Sequence, residues 1–228
     1  MGLALEVGES SGTDPETLAY MDAQIKAINR ALKQNGLPPH REPPLPSGSG
    51  WSGDMFGYSG LHYLRRLAAH LDRGLPLPPP GDDSAPEDPI LAQYHQTAER
   101  PQPGLLGRLF APKAPFRRQY DHLLIHGDAE GYYLPIDFPT VLFVDDAEVA
   151  GGMIGSSVRL LQECRQLATA IGLPYDLDPE ADELWEAADA QGEAQSGWQR
   201  YGVEAFTCCR LMKAAEVSVN LKAMIVFC

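Results

Sequence analysis

Apolar residues recur at helical spacing in several stretches of the chain, and these stretches predict its framework. Leu18, Met21, Ile25, Ile28 and Leu32 fall at intervals of three and four, one stripe of a helix. Asp14-Pro15-Glu16 opens it with an N-cap, a proline at the first helical position and an acid facing the helix dipole, and Asn35-Gly36 closes it. Leu61, Leu64, Leu67 with Ala68, and Leu71 predict a second helix from a cap at Ser59 to Arg73-Gly74. Its other face carries His62, Arg66 and His70, read as a solvated row. Val158, Leu161, Cys164, Leu167 with Ala168, and Ile171 predict a third, capped by Ser156 or Ser157 and ended by Gly172. A short helix from Ile90 to Ala98 and an acidic one from Pro179 to Asp189, with a thin apolar side of Leu184, Trp185 and Ala188, add to these. Tyr201 to Leu221 is apolar almost all round, with Arg210, Lys213, Glu216 and Asn220 as one narrow polar stripe, which places it deep in the fold.

Strand patterns occur at the start, middle and end. Leu3 to Val7 alternates; Gln119 to His126 and Tyr132 to Phe138 read as a hairpin across the turn Gly127 to Gly131; Val141 to Val144 and Met224 to Phe227 are further short strands. Pro135 and Pro139 cannot donate to a ladder, so part of the second hairpin strand is an edge or bulge. Residues 37–57 and 75–89 are rich in proline and glycine and read as surface loops. The expected architecture is a single α+β domain over 1–228, a small mixed or antiparallel sheet covered by several helices, with long Pro-rich loops.

Charge narrows the function. The 228 residues carry 31 acids against 18 Lys and Arg, a formal net charge of -13, and such a surface repels phosphate backbones rather than gathering them. Nucleic acid is therefore excluded as a direct partner. The excess is localised: no Lys or Arg lies between Arg165 and Arg200, while Asp176, Asp178, Glu180, Asp182, Glu183, Glu186, Asp189 and Glu193 crowd that interval. The basic residues Arg108, Lys113, Arg117 and Arg118 form a counter-patch, read as internal balance. Cys164, Cys208, Cys209 and Cys228 lack the spacing of a disulfide framework, which implies a reducing compartment. With no leader pattern and no apolar run long enough to span a bilayer, the expectation is a soluble cytoplasmic protein without a membrane partner.

Two stretches carry candidate chemistry. In Asp121-His122 to His126, Asp128 and Glu130, a strand would place both imidazoles on one face and the turn would fold a carboxylate back toward them. Two neutral nitrogens with anionic oxygens suit a divalent metal such as Zn, or a general acid/base pair. The same residues also describe a turn in which Asp128 bonds local amides and the histidines pack on a half-exposed face. Gly151 to Ser157 precedes a helix, and the amides of Gly152, Gly155, Ser156 and Ser157 are candidates for holding an anion. The lysine of a phosphate-binding loop is missing there, and a serine-capped turn explains the residues as well.

The runs Tyr120 to Phe138 and Gly151 to Leu161 are similar to a group of soluble bacterial proteins without an assigned activity. The resemblance implies a bacterial, cytoplasmic origin and carries no catalytic residue across.

Two functions follow. The first is a non-enzymatic acidic binding protein, immunity-protein-like, that neutralises or docks a basic protein partner through Asp178, Glu180, Asp182, Glu183, Glu186 and Asp189, with no cofactor. The second is a metal-dependent hydrolase centred on His122, His126, Asp128 and Glu130, whose ion would activate water. Binding ranks above catalysis, because the charge is concentrated and no catalytic signature is present.

Overall fold

The computed structural model describes residues 3–8, 15–46, 48–55, 57–98, 119–127, 130–190 and 196–227. The first element is β1 (Ala4–Val7), followed by α1 (Pro15–Gln34), β2 (Trp51–Asp54), α2 (Gly57–Asp72) and α3 (Pro89–Ala98). Then come α4 (Asp121–Ile125), β3 (Tyr132–Leu134), β4 (Leu142–Phe143), β5 (Met153–Ser156) and α5 (Ser157–Ile171). The chain ends with α6 (Asp182–Asp189), α7 (Gly202–Leu221) and β6 (Ile225–Phe227). The strands form one mixed sheet in the order β2-β1-β6-β3-β5-β4, with β3 and β5 parallel and the other neighbours antiparallel. The expected α+β class is what the chain adopts.

Alternation along the strands sorts side chains between two cores. Leu5, Val7, Tyr133, Ile225 and Phe227 face a large core built with α2, α5 and α7. Tyr132, Leu134 and Ile154 face a smaller one closed by Ala27, Ile28, Ala31 and Leu32 of α1. Helix α7 touches α2, α5, α6 and the strands β1, β2 and β6, which explains why its sequence is apolar almost all round.

Four segments depart from the sequence reading. Residues 121–125, expected in a strand, form α4. Its apolar run Leu123-Leu124-Ile125 has no period of its own, and hydrogen bonds from two distant side chains decide. Glu163 Oε1 accepts the amide of His122 (3.0 Å) and Oε2 that of Leu123 (2.7 Å) at the helix start. Arg65 donates to the carbonyls of Leu123 (2.7 Å), His126 (2.7 Å) and Gly127 (3.1 Å) at its end. Carboxyl acceptors at the N-terminus and a cation at the C-terminus meet the free amides and carbonyls that a helix leaves at its two ends. Trp51–Asp54, inside the stretch 37–57, is β2, and Met153–Ser156, read as a turn, is β5. The row on α2 is not solvated throughout: Arg66 is buried and donates to Pro79 and Pro80, and His70 meets Asp88 at 3.2 Å, so α2 anchors the loop 75–89.

Candidate functional site

The histidine-carboxylate stretch is folded inward. His122 accepts the Ser156 amide on Nδ1 (3.0 Å) and donates from Nε2 to the Phe138 carbonyl (3.0 Å), so both ring nitrogens are committed to the backbone. Burial pushes its pKa down to about 4. His126 stacks on Tyr133 at 4.0 Å between ring centroids and lies 5.8 Å from Phe227, with Nε2 3.3 Å from the Tyr132 carbonyl. Burial pushes its pKa down to about 3. Asp121 is buried and accepts the Val141 amide (3.0 Å). Glu130 is exposed, and Asp128 lies outside the described residues. Among the described residues no group of three His, Cys, Asp or Glu side chains converges as metal ligands would. Asp121, His122 and His126 are thereby committed to contacts that seat α4 against β3, β5 and Val141.

The candidate anion site is used by the fold in the same way. The Ser156 hydroxyl caps α5 by accepting the Arg159 amide (3.2 Å) and donates to the Ile136 carbonyl (2.6 Å). Ser157 accepts from Ser218 (2.8 Å), Gly155 pairs in β5 opposite Tyr133, and Gly152 takes a left-handed conformation, φ 61°.

The acidic segment faces the other way. Gly172 ends α5 in a left-handed conformation, the chain turns outward through Tyr175, and Asp178 Oδ1 accepts the Glu180 amide (2.9 Å) to shape the approach to α6. Asp182 and Glu183 occupy the first turn of α6, where carboxylates complement the dipole. Leu184, Ala187 and Ala188 turn inward. At Gly202 on α7 a side-chain carbon would fall 1.8 Å from the Ala187 carbonyl, so the two helices meet at a distance that only glycine permits. Asp176, Asp178, Glu180, Asp182, Glu183, Glu186 and Asp189 are all exposed. Glu193 and the counter-patch of Arg108, Lys113, Arg117 and Arg118 lie outside the described residues.

Of those seven acids, Glu180 is the one in an ion pair among the described residues: Arg210 Nη2 lies 2.8 Å from its Oε1. The Arg210 side chain is 2% exposed, and its guanidinium carbon lies 4.6 Å from the Phe206 ring centroid and 5.1 Å from that of Trp185. Nη2 also donates to the Pro179 carbonyl (3.1 Å). This buried cation ties the acidic turn to α7. Beside it a groove of about 330 Å³ is lined by Glu6 of β1, Asp54 of β2, Glu180, Trp185 and Arg210. A second groove, of about 450 Å³, lies between Trp51, Tyr175 to Glu180 and Lys213. Asp54 falls in a stretch that the sequence presents as loop, and Glu6 comes beside it only through the pairing of β1 with β2. Trp185 was read only as the thin apolar side of α6, yet it is 38% exposed. A tryptophan flanked by Glu183 and Glu186 is the signal that marks it.

A family model described as "Putative DNA-mimic protein" matches residues 1–227, and the chain belongs to that family. No curated protein and no solved structure matches the chain. The family overturns the expectation of an immunity-protein-like module that neutralises a basic partner. It also gives no support to the metal-dependent hydrolase, whose histidines the structure spends on backbone hydrogen bonds.

Proposed function

We propose that this member of the DNA-mimic family uses its acidic face as a surrogate for the DNA backbone and occupies the DNA-binding surface of a DNA-binding protein. The observation that carries the reading is the run of seven exposed carboxylates over residues 176–189, six of them without an ion-pair partner among the described residues. Asp182, Glu186 and Asp189 follow one another at four and three residues on α6. At a rise of about 1.5 Å per residue they are roughly 6 and 4.5 Å apart along the axis. One strand of duplex DNA presents a phosphate about every 3.4 Å of its axis, so a surface that reads phosphates meets charge at comparable intervals here. Rigid attachment matters equally, because charges held in place are not reorganised on binding. Arg210 and the close α6–α7 contact provide that attachment.

The partner is basic where it contacts the chain, and the chain itself does not bind nucleic acid. The test is displacement. Proteins of the native host are loaded on immobilised duplex DNA, then washed with the chain or with the variant Asp182→Asn/Glu183→Gln/Glu186→Gln/Asp189→Asn. The reading requires that the wild type release a defined protein and that the variant not do so. Release by neither, or by both alike, refutes it.

A further inference from the structure

The groove along β2 differs from the rest of the acidic face because an exposed tryptophan and three acidic residues line it together. On the inner side of Trp185, the chain already solves a recognition problem. The Arg210 guanidinium carbon lies 4.6 Å from the Phe206 centroid and 5.1 Å from that of Trp185, against two rings that touch each other at 4.5 Å, while Glu180 Oε1 takes its Nη2 hydrogen. Glu180 remains more than half exposed, and Glu6 and Asp54 line the same groove. Strand β2 is the sheet edge, so among the described residues one side of Trp51–Asp54 has no neighbouring strand.

Resting on the DNA-surrogate reading, we infer that this groove seats an arginine side chain of the DNA-binding partner, its guanidinium on the outer face of Trp185 and paired with Glu6, Asp54 or Glu180. An arginine is the chemistry that fits, for two reasons. Its planar, weakly hydrated cation stacks on an aromatic face and offers a fork of donors to carboxylates, whereas a lysine ammonium is a strongly hydrated point charge. DNA-binding surfaces also carry arginines to reach phosphates and base edges, so a DNA surrogate meets them in the ordinary course of binding. The long acidic run on α6 then supplies attraction to any cation, and the groove selects for guanidinium.

The experiment uses octa-arginine and octa-lysine peptides of equal charge, titrated into the whole chain at low ionic strength by calorimetry. The wild type should prefer the arginine peptide by roughly fivefold, the size of a partly exposed cation–π contact. Trp185→Leu should bring the ratio close to one while leaving the lysine peptide's affinity within about twofold; Trp185→Phe should keep most of the preference. Because Trp185 packs on Phe206, a second arm avoids the core. Glu6→Gln/Asp54→Asn should weaken the arginine peptide at least about threefold more than Glu87→Gln/Asp146→Asn, which removes the same charge elsewhere on the surface. An equal effect of the two pairs, or a ratio unchanged in Trp185→Leu, overturns the inference. Such a failure leaves displacement from DNA intact, whereas loss of displacement with arginine preference retained condemns the DNA-surrogate reading instead.

Discussion

Arg210 and Glu180 form an ion pair in which one partner is buried and the other projects into solvent, with 2.8 Å between Nη2 and Oε1. The guanidinium lies against Phe206 and Trp185, so the acidic face is fastened to the core through a cation. Packing is the larger part of that fastening, since an ion pair with one exposed member is screened by water.

Arg210→Ala is expected to destabilise the chain by about 3 kcal/mol through the cavity it leaves between Trp185, Phe206 and β2. Arg210→Met, which keeps most of the volume, should recover at least half of that, because a buried ion pair replaced by an apolar isostere costs little. Urea unfolding of both variants measures this. Equal losses would assign the stability to the charge rather than to packing.

Gly202→Ala should loosen α6 without touching any acid. A methyl group there meets the Ala187 carbonyl, so α6 must move away from α7, with an expected loss of about 2 kcal/mol or more. Hydrogen exchange should rise in 182–190 and stay unchanged in α5. Unchanged protection in 182–190 would show that the close approach is not what holds the helix.

Acid should unfold the chain from its histidine nucleus. The folded-state values of His122 and His126, about 4 and about 3, lie below the ordinary 6.5, so the unfolded chain binds more protons between those limits. Their contribution is fully present above pH 6.5 and is lost as pH falls toward 4, at up to about 1.4 kcal/mol per pH unit for each. Glu163 works with the opposite sign: burial raises its pKa well above the usual carboxylate range, so its contribution is present at low pH and is lost as pH rises through the raised value. The urea midpoint should therefore drop between pH 7 and pH 5. His126→Phe, which keeps the stack on Tyr133, should remove about half of that drop. A drop of undiminished size in His126→Phe would place the acid sensitivity elsewhere.

The sequence made the long helices legible because their apolar stripes report a face that is buried. α1, α2 and α5 enclose the stripes Leu18 to Leu32, Leu61 to Leu71 and Val158 to Ile171, and α7 begins one residue after Tyr201 and ends at Leu221. It concealed α4 because the forces that make 121–125 helical come from Arg65 and Glu163, 58 and 41 residues away from their backbone partners Leu123 and His122. It concealed β2 and β5 because Gly53 and Gly155 break the β-like pattern. Gly155 is required by contact: a side-chain carbon there would come within 2.4 Å of the Tyr133 ring. On the candidate site, charge concentration after Ile171 was visible directly, since exposed acids need no partner to be read. Glu6 and Asp54 join that face only through the pairing of β1 with β2, which no local pattern announces.

The central claim is that carboxylates on α6 stand where phosphates would. The most direct measurement is fluorescence anisotropy of a labelled duplex bound to the protein that the chain displaces, titrated with wild-type chain and with the variant Asp182→Asn/Glu183→Gln/Glu186→Gln/Asp189→Asn. The account predicts complete, competitive release of the duplex by the wild type and a competition constant weakened at least about tenfold in the variant. A ternary complex of chain, partner and duplex, or equal competition by the two chains, would contradict it.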